Sequence, residues 1–368
     1  MRKLIFKISF FCAVLFIYIM ALSFLPLDIF TFRNWESLLW GTDFKPTPGR
    51  FYPKKNTLRD EFGDLGHGTK YARVKKNIRW ETDEYGFRNK QGIAAQCPII
   101  LVGDSYSVGT GVSQNAMLSA KLTLKTKTPV YNYSPIEMDR NFFDNLAAMH
   151  IQPFALIYET SGHVIPKEGT FLKVKHSKIQ TAWKRKINDL FNTDFFMRIA
   201  IVFDRFWKKE PFRYLQSRID SAFGVFPEAV QVDANGMMFH NEILAMGPTS
   251  HEEIKRSSLK IKKISDFFQR RGIDFIFVSI PPKSAVYFDL RPGDTLFNKD
   301  FYMTLKHELD LLGVKSIDVF SSFRSRVLSG EQLYSWDDTH WNEAGIEVAA
   351  QLIAQKINSK FQPAVRDG

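Results

Sequence analysis

Ser105 closes the run Pro98-Ile99-Ile100-Leu101-Val102-Gly103-Asp104-Ser105, and Asp337-Asp338-Thr339-His340-Trp341-Asn342 stands near the other end of the chain. A serine hydroxyl is a weak nucleophile until a base removes its proton. A neutral imidazole can take that proton, and a carboxylate can fix the imidazole tautomer and stabilise the imidazolium. The two segments together hold all three groups. Asp337 lies three residues before His340 and Asp338 two before it, so either can meet the imidazole across a tight turn. The chemistry this set implies is acyl transfer through an ester on Ser105. Taken singly, each piece has a plainer reading. Gly-Asp-Ser is a common turn tripeptide, and Asp-Asp-Thr-His can be a capped turn or a weak metal site. The pairing across the chain is the specific signal.

These groups need elements to position them. The short apolar, β-branched run Ile99–Val102 reads as a buried strand, and the glycines and polar residues after it read as a sharp turn. In open α/β sheets, ligands gather at the carboxyl ends of strands. Downstream, the pattern predicts a helix over Gln114–Lys125 with Ser113 as N-cap, a strand over Val130–Tyr133, a helix over Asp139–His150 and a strand over Ala155–Tyr158. The rhythm resumes with a helix over Glu252–Arg271 stopped by Gly272 and a strand over Ile273–Ile280. A helix over Phe301–Leu312, a strand over Val314–Val319 and a last helix over Asn342–Ser359 capped by Asn342 follow. Strands alternating with helices predict a mostly parallel sheet. Residues 167–249 break the rhythm: basic residues interleave with aromatics, which reads as an amphipathic helical insertion or a surface for membrane or polymer. Asp233-Ala234-Asn235-Gly236 reads as a turn between short strands.

The chain has 368 residues, 45% hydrophobic and 14% aromatic, enough for one large domain or two ordinary ones. The net charge is +11, but no zinc-finger spacing or nucleic-acid signature accompanies it, so nucleic acid is not expected as a partner. Cys12 and Cys97 are the two cysteines, too few for a disulfide framework or a cysteine metal site. No cofactor or metal is expected. Arg2, Lys3 and Lys7 precede the uncharged run Ile8–Leu25, long enough to span a bilayer with the short basic side cytoplasmic. The expected organisation is a cytoplasmic tip at 1–7 and a single-pass transmembrane anchor at 8–27. A tether and lead-in follows at 28–95, then a catalytic domain at 96–360 carrying the insertion, in the periplasm or otherwise outside the cytoplasmic membrane. A signal peptide cleaved at Ala21-Leu22-Ser23 is the rival to the anchor.

The segments Ile99–Val112 and Asp338–Gly345 resemble the SGNH (GDSL) hydrolases, as does Tyr85-Gly86-Phe87-Arg88. Pro281-Pro282-Lys283-Ser284-Ala285-Val286-Tyr287 and Asp-Thr-His-Trp are similar to the alginate O-acetyltransferase-like branch of that superfamily. The resemblance covers roughly residues 80–160 and 250–358. It implies a flavodoxin-like three-layer α/β/α sandwich, with Ser105 as nucleophile, His340 as base and an acid from the Asp337/Asp338 pair as orienter. The branch's spacing favours Asp338, and the wider superfamily's spacing favours Asp337. Where the superfamily brings an oxyanion-hole glycine, the chain has Asn132-Tyr133-Ser134-Pro135. Where it brings an asparagine, the chain has Tyr158-Glu159-Thr160-Ser161-Gly162-His163. Oxyanion donors are therefore expected from the Ser105 N–H together with Ser134, Thr160 or a nearby backbone amide. The resemblance implies O-acetylation; anchoring outside the cytoplasm points to a cell-surface glycan or exopolysaccharide, and a single membrane span then calls for a multi-pass membrane protein as acyl donor. An esterase, or a non-catalytic polysaccharide-binding or assembly protein on the same fold, are the alternatives.

Overall fold

A computed structural model describes residues 2–23, 38–39, 47–65, 74–135, 138, 141–161, 216, 219, 222–223, 230–233, 235–240, 250–287 and 300–361. In chain order these hold α1 (Arg2–Ser23), the hairpin strands β1 (Asn56–Glu61) and β2 (Lys76–Glu81), then β3 (Ile99–Val102), α2 (Ser105–Val108), α3 (Leu118–Thr126) and β4 (Val130–Asn132). Next come α4 (Phe142–Ala148), β5 (Ala155–Ser161), the hairpin strands β6 (Val230–Val232) and β7 (Met238–His240), α5 (His251–Gln269) and β8 (Asp274–Ile280). The chain continues through α6 (Lys283–Val286), α7 (Phe301–Leu311), β9 (Ser316–Ile317), α8 (Val319–Leu328) and α9 (Glu343–Phe361).

The central sheet runs β4-β3-β5-β8-β9, with all pairs parallel. The first strand in sequence thus lies between the second and the third, the flavodoxin-like order, and its switch point falls between β3 and β5. Every residue of β3 is buried, as a strand covered on both faces requires. Side-chain alternation sorts the core into two layers. Ile99, Leu101 and Ile157 pack with Leu118 and Leu122 of α3, Phe323 of α8, and Ile346 and Ile353 of α9. Ile100, Val102 and Leu156 pack on the other face with Phe142 of α4, Ile261 and Phe268 of α5, and Leu305 of α7. Burial of each such large apolar side chain contributes on the order of 2 kcal/mol.

Three differences from the sequence reading have local causes. The helix expected from Gln114 starts only at Leu118. Ser113 Oγ accepts from Arg79 N, and Gln114 Oε1 accepts from Glu81 N and Arg88 Nε, so these residues bind the β1–β2 hairpin instead of starting a helix. The strand expected over Val314–Val319 shrinks to two residues, because Asp318 accepts from Ser321 N and caps α8. Within the expected tether, the hairpin and the turn after it dock on the sheet: Asn89 takes the backbone N–H and C=O of Asn132 on the edge strand β4.

The expected membrane span Ile8–Leu25 overruns α1, and Phe24 and Leu25 lie outside the described residues. Among the described residues no helix is long and apolar enough to cross a membrane. Most of the insertion, 167–249, also lies outside the described residues, as does His163. The Asp233 turn is present: Asp233 Oδ1 accepts from Asn235 N and Met237 N between β6 and β7.

Candidate active site

Ser105 begins α2 directly beyond the carboxyl end of β3. The turn is tight because Gly103 carries no Cβ; one placed there would lie 2.2 Å from Glu159 Oε2 and 2.4 Å from Ser107 Oγ. Asp104 is the N-cap, accepting Tyr106 N through Oδ1, while its Oδ2 accepts both the N–H and the hydroxyl of Ser161 at the end of β5. The neighbouring strand supplies a second brace, for Glu159 Oε2 accepts from Asp104 N and Ser107 Oγ. Burial, reinforced by the charge of Asp104, holds the Glu159 carboxyl well above the usual carboxylate range.

The loop behind the nucleophile is pinned by Arg88. Its guanidinium donates to the carbonyls of Val108, Gly109, Val112 and Arg79 and to Gln114 Oε1, and stacks 3.6 Å from the centre of the Trp80 ring. Burial presses its pKa down to about 9, which still leaves it charged. The sequence marked Tyr85–Arg88 by likeness alone; this is what the arginine does.

His340 reaches Ser105 from the loop before α9. Its Nε2 lies 2.8 Å from Ser105 Oγ, and its Nδ1 lies 2.6 Å from Asp338 Oδ1. With Asp338 an acceptor only, Nδ1 carries the proton and Nε2 is left to accept from the serine hydroxyl. Burial alone would raise the Asp338 pKa, but the charge and hydrogen bonds of His340, with Lys76 beyond, take it well below the usual carboxylate range. Of the two candidate orienters, the structure thus brings Asp338 to the imidazole. Asp337 turns away and accepts the N–H groups of Gly63 (3.1 Å) and Val74 (2.8 Å), tying the hairpin loop to the base loop. Asn342 caps the last helix by accepting from Gly345 N, as its position predicts.

Four groups absent from the sequence-based site hold this loop. Lys283 is buried, and its Nζ donates to the carbonyls of Ser335 (2.5 Å), Trp336 (3.0 Å) and Asp338 (3.2 Å). Burial pushes its pKa down to about 7, against the pull of Asp338, Asp337, Asp64 and Asp233. Lys76 donates to Ser335 Oγ, and Tyr106 donates its hydroxyl to Thr339 O while its ring packs against His340. Asp64, from the hairpin loop, accepts Thr339 N and Thr339 Oγ1, both at 2.8 Å. Lys283 carried a sequence signal in its Pro-Pro-Lys setting. Asp64 carried none, since its partner lies 275 positions away.

The two oxyanion candidates separate. Thr160 lies between Glu159 and Ser161, which both bond the Ser105 turn, so strand alternation directs it to the opposite face of the sheet. Ser134 lies on the same face as Asn132, whose side chain donates to Ser107 O beside the nucleophile and accepts Ser134 N. The Ser134 hydroxyl is buried without a hydrogen-bond partner among the described residues. The Ser105 N–H, in the first turn of its helix, has no intrahelical acceptor.

The parallel sheet in flavodoxin-like order, with a Ser–His–Asp relay above its switch point, defines an α/β fold of the flavodoxin-like kind. Residues 230–367 are similar to a family described as SGNH hydrolase-like domain, acetyltransferase AlgX; that match includes the His340 loop and does not reach Ser105. No curated protein matches the chain. Among solved structures, the O-acetyltransferase domain of Pseudomonas putida AlgJ is similar at 21% identity and a TM-score of 0.32, over 36% of this chain and 48% of that one. The chain therefore spans about half the length of that solved domain.

Proposed function

We propose that the protein is a membrane-anchored, extracytoplasmic O-acyltransferase of the SGNH type that acetylates a cell-surface glycan or exopolysaccharide. The observation that carries this reading is the relay from Ser105 Oγ through His340 to Asp338, at 2.8 and 2.6 Å. In the first step Ser105 Oγ attacks the acyl carbonyl while His340 Nε2 takes the hydroxyl proton. The leaving group departs with that proton, and the ester on Ser105 remains. In the second step an acceptor hydroxyl gives its proton to His340, attacks the ester and restores the serine. The Ser105 N–H and the Ser134 hydroxyl are the donors proposed for the oxyanion.

Likeness to an acetyltransferase family over residues 230–367 supports acyl transfer rather than hydrolysis. The three basic residues before an uncharged run, and the exposed apolar side chains of α1 such as Phe6 and Phe11, support an anchor with the domain outside the cytoplasm. A donor on the other side of the bilayer then requires a multi-pass membrane partner.

Ser105→Ala tests the reading in cells. Loss of glycan O-acetylation with the protein stably present is expected; unchanged acetylation would leave a binding or assembly role. Supplying the purified protein with an acetyl donor and oligosaccharide separates the two enzymes: acetylated sugar is expected, and free acetate without it indicates an esterase. A mature N-terminus at Phe24 would overturn the anchor.

A further inference from the structure

The relay has a second carboxylate that the triad chemistry does not use. Asp64 Oδ2 lies 4.0 Å from His340 Nδ1, and the two side chains are only 5% and 6% exposed, so little water screens them from each other. Asp64 comes from the β1–β2 hairpin loop, more than 270 positions before the histidine. It is held in place by Thr339, which gives one oxygen its N–H and the other its hydroxyl. The hairpin loop is itself fixed on the base loop, through Asp337 Oδ2 with Gly63 N and Val74 N, and through Leu65 N with Asp337 O.

Asp64, Asp338 and His340 offer atoms within 4.8 Å of one another, a spacing that also suits a metal. Both imidazole nitrogens are already committed, however, one to Ser105 and one to Asp338. The arrangement is better suited to stabilising charge on the ring. Among the described residues, the imidazole also meets the Ser105 and Thr339 hydroxyls and the Tyr106 ring, whose phenol is held well above its usual pKa by burial and is neutral. Lys76 and Lys283, among the described residues, hydrogen-bond the loop at Ser335, Trp336 and Asp338, and Lys283 also feels the charge of Asp64.

We propose that Asp64 is a positioning residue for the acyl-transfer reaction: its carboxylate fixes Thr339 and places a second negative charge beside His340, making the imidazole a stronger base. The inference rests on the Ser105–His340 reading of the site. A charge at this separation, little exposed to water, shifts an imidazole by roughly one pH unit or more.

The test uses the full-length chain in detergent. In a Ser105→Ala background, the His340 ring proton is titrated by NMR with and without Asp64→Asn. The asparagine keeps the shape and an acceptor for Thr339 N but removes the charge. The expected result is a titration midpoint at least about one pH unit lower in Asp64→Asn. Thr339→Val removes the hydroxyl contact but not the charge, so its midpoint stays with the parent. In the Ser105 enzyme, the rising limb of kcat/KM against pH for an aryl acetate moves down by the same amount with Asp64→Asn. Superimposed titrations would overturn the proposal, as would an equal shift in Thr339→Val. If Asp64→Asn does not fold, by thermal unfolding, Asp64→Ala gives the same comparison. The imidazole titration needs no turnover, so failure of the enzymatic reading and failure of this proposal remain separate results.

Discussion

The turn bearing Ser105 and the loop bearing His340 are held by different means. Ser105 is placed by one sheet: β3 delivers it, and Glu159 and Ser161 on the adjacent strand β5 bond the turn around it. His340 sits on a loop with little regular structure, held from several directions by side chains of other elements: Lys283 from α6, Lys76 from β2, and Asp64 from the hairpin loop. The nucleophile's position thus follows from strand geometry. The base's position depends on buried polar groups, each costly to leave unpaired. Loss of a contact on the first side should disturb the fold and the activity together. Loss on the second side should reduce activity more than stability.

Asp338→Asn carries the largest expected effect. The amide forces the wrong imidazole tautomer with little change of shape, so kcat falls about 10^4-fold while the melting temperature stays close to the parent's. On the sheet side, Gly103→Ala drives a Cβ into Glu159 and Ser107; about 2–3 kcal/mol of stability and at least about 100-fold of kcat are expected to go together. Lys283→Met strips three carbonyls of their donor. Its expected effect is kcat down roughly 100-fold with KM little changed, against a smaller loss of about 1 kcal/mol in urea unfolding. Full activity in that variant would break the comparison. Asp337→Ala frees the Gly63 and Val74 N–H groups and should lower kcat by only about tenfold, which separates it from Asp338.

The last expected effect is on stability and leaves activity aside; it lies away from both segments, at Asp83. Its carboxyl accepts from Tyr85 N, Phe87 N, Asn89 and Tyr131, yet burial outweighs these contacts and pushes its pKa up to about 6. The folded state then binds a proton more tightly than the unfolded chain. The stability this group contributes is full below about pH 4 and is lost as pH rises through 6, up to about 3 kcal/mol. Urea unfolding of the parent relative to Asp83→Asn, at pH 4 and pH 7, should show that difference.

Much of the sheet side was legible in the chain. The buried run Ile99–Val102 ending in glycine, and the apolar periodicity of α5 and α9, are local signals that tertiary contacts reinforce. The helix α8 is missing from the sequence reading, although Asp318 precedes Phe320, Phe323 and Val327 at helical spacing, because the strand expected over Val314–Val319 covers its start. The docking of the segment before residue 95 was not legible, because its bonds are long-range. Arg88, Asn89 and Asp83 look like scattered polar residues until the hairpin folds over the sheet.

The sequence by itself determined the strand order's raw material, the nucleophile's place at a strand end and the two carboxylates in reach of one histidine. Tertiary structure decided between those carboxylates. Asp338 and Asp337 are adjacent and chemically equal, and only the hairpin's N–H groups, which claim Asp337, leave Asp338 to the imidazole. It also turned Thr160 away and brought Asp64 in, because a side chain's direction and its distant neighbours are set by packing and not by spacing along the chain.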